Sequence, residues 1–255
     1  PKSFFIFLTI SLLSYCKEPY EDLDMEKEWG KEIYEIHKDS VKCVFEKETA
    51  FISQLAKDIL TKAETNPYQF QFCITDSNEI NAYALPSGYI FIHSGILRTL
   101  SSEGELVFLL GHEIANVLLR HSYRTVKRQL AGKALSEKTK GLSKIGPVQL
   151  FGVLGLLKFS REFEKSSDMK ALEFATSLGY DPRSSLDFMT NFEKLRFRKS
   201  NLIENILSTH PDPSVRKKYL QRSINRMMVG SDFKKSGKEF ISLKNIIDKK
   251  IKNQK

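Results

Sequence analysis

The 255-residue sequence lacks the features that would make it fibrous, disordered or membrane-spanning. No stretch reaches the roughly eighteen consecutive apolar residues that a spanning helix needs, and there is no internal repeat. Cysteine is scarce: three residues cannot build a scaffold held mainly by disulfides. Cys16 lies near the N-terminus, and the separation of Cys43 from Cys73 along the chain leaves open whether those two meet. No proline interrupts the region from Glu21 to Ala63. No basic stretch is interleaved with stacking aromatics, which argues against a nucleic-acid partner. What is present is an ordinary core composition, 41% hydrophobic and 11% aromatic, enough for one large domain or two small ones.

The formal charge of +9 is unevenly spread. Eight lysines against Glu239 and Asp248 put a net +6 in residues 233–255, which read as a basic C-terminal tail. Either a solvated helix or an electrostatic contact with anionic lipid or cell-wall polymer fits that composition. At the other end, "PKSFFIFLTISLLSYC" places Lys2 before an apolar segment from Phe4 to Leu13, the pattern of an export signal. Leu13-Ser14-Tyr15-Cys16 resembles a bacterial lipobox, although Tyr15 is larger than the residue usual before the cysteine. The expectation is a signal segment over 1–16 with Cys16 as lipid anchor, a domain over 17–232, and an exported, membrane-anchored protein of the cell envelope.

Within the domain, apolar residues at helical spacing (Ile33, Ile36, Val41, then Phe51, Ile52, Leu55, Ile59) predict two helices that break near Asp39-Ser40. "QFQFCIT" alternates like a strand. "NAYALPSGYIFIHSG" reads as two extended pieces around a turn at Pro86-Ser87-Gly88. Ser102 and Glu105 form a capping box for "LVFLLGHEIANVLLRH", a helix expected to close with Arg120, His121 and Arg124. After a lysine-rich stretch and an apolar run, "IGPVQLFGVLGLL", further helices are expected from Arg161 to Gly179, Arg183 to Phe197 and after "THPDP". The fold class is helix-rich α+β, with a small meander of strands against the helix that carries His112.

The chemistry centres on that helix. A metal-dependent hydrolase needs ligands that hold a divalent cation with one position open, and a base for the attacking water. His112 and Glu113 are placed for ligand and base, but the residue four positions after His112, on the same helix face, is Asn116. Glu164 and Asp168 repeat the four-residue spacing on a second helix, where one carboxylate can ligate and the other can orient a histidine. His210 sits in a proline-rich loop. His121, nine residues after His112, is expected on the far side of the helix, and His93 beside the second strand reads as structural.

The segments "NAYALPSGYIFIHSGIL", "LLGHEIANVLLRH", "SREFEKSSD", "LGYDP" and "STHPDPSVR" occur in the order found in the zinc metallopeptidases that include HtpX, the CaaX prenyl protease and BepA-like proteases, peptidase family M48. The chain resembles that family from about Glu26 to Arg226. The resemblance implies a gluzincin-type fold and one Zn2+ ion, with His112 and Glu164 as ligands and Glu113 as catalytic base. It implies Asp168 behind the ligands and His210 close to the metal. Arg216 would be a catalytic residue at the developing oxyanion, and Asn81, Ala82, Tyr83, Ala84, Leu85 and Pro86 a track for an extended polypeptide. The family pattern has histidine at the position of Asn116, glycine at Ser87 and alanine at Ser167. A carbonyl oxygen suits zinc less well than imidazole, so His112, Glu164 and His210 are one candidate ligand set, with Asn116 outside it or binding through oxygen. Three readings follow: a zinc endopeptidase of the envelope, a pseudopeptidase that binds extended polypeptides without cutting them, and a basic lipoprotein with an inherited scaffold.

Overall fold

The computed structural model describes residues 22–136, 158–197, 201–210, 212–227 and 230–252. The segment expected to be a signal and lipobox, residues 1–16, and the apolar run 145–157 lie outside the described residues. The two helices expected at the start of the domain are α1 (Leu23–Ser40) and α2 (Glu46–Leu60). Between them lies β1 (Cys43–Val44), followed by β2 (Gln71–Thr75), β3 (Ala82–Ala84) and β4 (Tyr89–His93). The sheet order is β1-β2-β4-β3. It is a mixed sheet rather than a simple meander, because β2 and β4 run parallel while β3 and β4 form a hairpin. Cys43 and Cys73 form a disulfide that ties β1 to β2.

The hairpin turn at Pro86–Gly88 carries two left-handed residues, Ser87 (φ 70°) and Gly88 (φ 99°). Ser87 is held there by its hydroxyl, which donates to the Glu26 carbonyl oxygen at 2.9 Å. Alternation along β4 then serves two cores. Ile90 and Ile92 face the main core with Ile52, Ile59, Leu106 and Leu110, whereas Phe91 joins Trp29 and Ile33 of α1 in a second, smaller core. That second core is completed by Tyr123, Val126 and Leu130 of α5 (His121–Ser136).

After the short α3 (Ser94–Thr99), α4 (Glu103–Leu118) forms the centre of the domain. The Ser102 hydroxyl accepts from the Glu105 N–H at 3.2 Å, and Glu105 in turn accepts from Ser101 N–H at 3.2 Å, a capping box displaced by one residue. Every residue from Glu103 to Val117 is buried, as a helix apolar on all sides requires. α6 (Arg161–Ser177) packs along it at Gly111, where a Cβ would stand 3.1 Å from Ala171 Cα. α7 (Ser184–Phe197), α8 (Glu204–Thr209) and α9 (Pro213–Ile224) complete the domain.

Two expectations are corrected here. The helix bearing His112 does not continue through Arg124; it ends at Leu118, Arg120 takes a left-handed backbone (φ 59°), and His121 opens α5. Among its described residues, the segment expected as a basic, solvated tail contains α10 (Lys238–Lys252), whose Phe240, Leu243 and Ile247 are buried in the main core. Their three- and four-residue spacing is an apolar stripe that a count of lysines conceals.

Candidate metal centre and active site

Two helices and the loop after a third converge on a buried cluster. α4 supplies His112, α6 supplies Glu164, and the residue after α8 supplies His210; ligand atoms of all three lie within 4.8 Å of one another. His112 Nδ1 donates to Asp168 Oδ1 at 2.8 Å, one helical turn beyond Glu164 on α6. With Nδ1 protonated, Nε2 carries the lone pair, and this buried atom has no hydrogen-bond partner. His210 repeats the pattern: Nδ1 donates to Glu164 Oε1 at 2.7 Å while Nε2 is buried without a partner. His112 Nε2 and Glu164 Oε2 are 4.0 Å apart, little more than the roughly 3.4 Å edge of a tetrahedral zinc site. Two imidazole lone pairs and an anionic carboxylate, each oriented through its other atom, fit a zinc ion in donor type and spacing.

His210 is placed by packing as well as polarity. Its ring stacks on Phe159 at 4.9 Å, and its backbone N–H closes the last turn of α8 on the Ile206 carbonyl at 2.7 Å. Glu113 lies beside the cluster, 2% exposed, with Oε2 unpartnered. A small cavity of ≈20 Å3, lined by His112, Glu113, His210 and Arg216 among others, has room for one water-sized occupant.

Arg216 is buried against the carboxylates of α6. Its Nε and Nη2 donate to the two oxygens of Asp168 at 2.8 and 2.6 Å, and Nη1 lies 2.8 Å from Glu164 Oε2. A guanidinium engaged by two carboxylates holds both of them in place, and it does so while lining the small cavity beside His112 and Glu113. Tyr219, one turn further along α9, adds its hydroxyl to Asp168 Oδ2; the "RKKY" spacing was the only sequence signal for it. Burial disfavours charge on Glu164 and Asp168, but His210 and Arg216 around the first, and Arg216 and His112 around the second, hold both below the usual carboxylate range. Burial likewise opposes a charged His112, and the Asp168 contact outweighs it, raising its proton affinity.

Asn116 is fully buried one turn after His112. Ser167 Oγ donates to its Oδ1 at 2.7 Å, and His121 Nδ1 lies 3.3 Å from the same oxygen and 3.0 Å from Ser167 Oγ. The break at Arg120 turns His121 back toward Asn116, contrary to its expected place across the helix. Burial, then the charges of His112 and Arg124, push His121 down to about 3, and its neutral ring stacks on Phe163 at 4.1 Å.

The residues expected to form a substrate track, Asn81 to Pro86, lie on and around β3, which among the described residues is an edge strand paired with β4. A larger cavity of ≈330 Å3 opens beside it, lined by Asn81, Tyr83, Glu79, His93, Phe159 and His210 among others, so the edge and the cluster share His210. His93 Nδ1 faces Glu79 at 3.7 Å.

A helix-rich α+β fold in which two histidines and a glutamate converge beside a buried second glutamate defines a metallopeptidase-like domain. Comparison with known proteins agrees: residues 46–224 match the profile of Peptidase family M48, and the chain belongs to that family. It is 27% identical over 194 residues to the beta-barrel assembly-enhancing protease of Escherichia coli K12, covering 70% of this chain and 39% of that protein. A putative beta-barrel assembly-enhancing protease of Vibrio cholerae is 27% identical over 179 residues, covering 65% and 37%. The mitochondrial metalloendopeptidase OMA1 of Arabidopsis thaliana is 31% identical over 145 residues, covering 56% and 29%. The chain thus spans less than two-fifths of the length of these curated relatives. No helix among the described residues is long and apolar enough to cross a membrane.

Proposed function

We propose that the chain is a zinc-dependent metallo-endopeptidase of the bacterial cell envelope, with Glu113 as general base. The observation that carries this reading is the clustering of His112, Glu164 and His210, with the Nε2 atoms of both histidines buried and unpartnered. Zinc, when bound, supplies Lewis acidity toward a carbonyl and lowers the pKa of water. The chain does the rest. Asp168 holds His112 in the tautomer that offers Nε2, and Arg216 clamps Asp168 and Glu164 so that both acids stay ionised. Glu113, in reach of the same small cavity, takes a proton from the attacking water and returns it to the leaving amine. An extended polypeptide pairs with the edge of β3 that is unpaired among the described residues, which brings its backbone past His210.

Export and a lipid anchor at Cys16 belong to the same proposal. The Cys43–Cys73 disulfide favours an oxidising compartment. Cleavage of unfolded casein by the zinc-loaded protein, lost in Glu113→Gln with zinc retained, is the expected result. A natural chain that binds zinc but cuts only after Asn116→His is instead a pseudopeptidase that holds extended polypeptides.

A further inference from the structure

Asn116, Ser167 and His121 raise a question that the ligand cluster leaves open. Two of these positions, Asn116 and Ser167, depart from the pattern of the family this sequence resembles, and the structure puts them in direct contact at 2.7 Å. The departures are therefore one feature. In the structure Asn116 Oδ1 faces Ser167 and His121, whereas Nδ2, equally buried, has no partner. An amide's oxygen and nitrogen have the same shape, so partners decide which end points where.

Half a turn about the last side-chain bond exchanges the two ends. Nδ2 then donates to Ser167 Oγ, and the Ser167 hydroxyl donates to His121 Nδ1, 3.0 Å away. His121 Nε2–H donates to Ser166 Oγ at 3.3 Å, and the Ser166 hydroxyl donates to the Glu162 and Phe163 carbonyls, both at 3.0 Å. The hydroxyl and ring donors of this run each have an acceptor, in one direction, from the amide to the backbone of α6, and one amide N–H rather than two is left without a partner. The end of Asn116 left over is the carbonyl oxygen, on the helix face it shares with His112, whose Nε2 is also unpartnered. A buried acceptor there suits a cation; a buried amide N–H2 does not.

We propose that Asn116 is a metal ligand through its carbonyl oxygen, and that Ser167 and His121 are positioning residues that hold the amide in that orientation. The inference rests on the zinc-binding reading above and adds to it the chain of hydrogen bonds from Asn116 through Ser167 and His121. The end of α4 at Leu118 and the left-handed Arg120 are what turn His121 back to Asn116.

The test is zinc affinity, measured by competition with a chromophoric chelator, for the natural chain, Asn116→Ala, Ser167→Ala and the double variant. The expected result is a loss of about ten-fold in Asn116→Ala and in Ser167→Ala. The double variant loses no more than Asn116→Ala alone, because Ser167 acts only through the amide. The cobalt-substituted forms of both single variants show the same change in d–d absorption, which a role in packing alone leaves unmoved. His121→Phe, which keeps the stack on Phe163, behaves like Ser167→Ala and serves where that variant folds poorly. Zinc affinity unchanged in Ser167→Ala and His121→Phe, unchanged in Asn116→Ala, or lost multiplicatively in the double variant overturns the inference while zinc binding itself stands. A natural chain that takes up no zinc overturns the reading beneath it, and the inference with it.

Discussion

Gly111 sets how closely the two ligand-bearing helices approach, and replacing it tests whether that spacing governs the site. A Cβ at Gly111 would stand 3.1 Å from Ala171 Cα and 3.3 Å from its Cβ, so in Gly111→Ala the backbone of α6 must give by a few tenths of an ångström. Overpacking costs about 1–3 kcal/mol, and the gain in helix propensity returns about 1, leaving a net destabilisation of about 0–2 kcal/mol. The displacement stays within the roughly 0.5 Å that a ligand site tolerates, so zinc affinity falls by less than about ten-fold. Gly111→Val adds two further methyl groups against the same backbone and exceeds that tolerance. It is expected to lose zinc while still folding, read by urea denaturation alongside chelator competition. A folded Gly111→Val that binds zinc as the natural chain does refutes the claim that contact between α4 and α6 at this point fixes the distance from His112 to Glu164.

Other perturbations have equally definite outcomes. Asp168→Asn removes one of the two carboxylates around the buried Arg216, and loss of a partner from such a group costs about 3–5 kcal/mol; a loss under 1 kcal/mol by urea unfolding contradicts the clamp. Replacing Cys43 and Cys73 with serine opens a link spanning 30 residues, an expected loss of about 3–4 kcal/mol, and a reducing agent should then no longer shift the unfolding midpoint. Burial lifts Glu105 from 4.5 to about 7, so the unfolded chain releases that proton first. Stability contributed there is complete below pH 4.5 and falls as pH rises to 7, by about 2 kcal/mol after allowance for solvent screening. Glu105→Gln should flatten that slope, and an unchanged slope would count against a buried, neutral Glu105.

Much of the site was legible because helices impose a period. His112 with Glu113, and Glu164 with Asp168, could be assigned to two helix faces from spacing alone, and the structure brings those faces together. His210 came from the order of motifs, since nothing in a proline-rich loop states where it folds. The parts that escaped depended on contacts between distant segments. Leu119-Arg120 holds no glycine or proline, so the left-handed break that brings His121 to Asn116 left no mark in the sequence. Nothing near Arg216 in the sequence announced the two carboxylates from α6 that engage it. The parallel pairing of β2 with β4 is likewise a long-range fact, because the intervening β3 hairpin suggests a meander to any local reading.

The most direct test of the account is a zinc-edge anomalous difference map from crystals of the chain grown with zinc. The account predicts one strong peak bounded by His112 Nε2, His210 Nε2 and a Glu164 oxygen, absent in crystals of His112→Ala. A map with no zinc there, or with zinc bound away from these three residues, contradicts it.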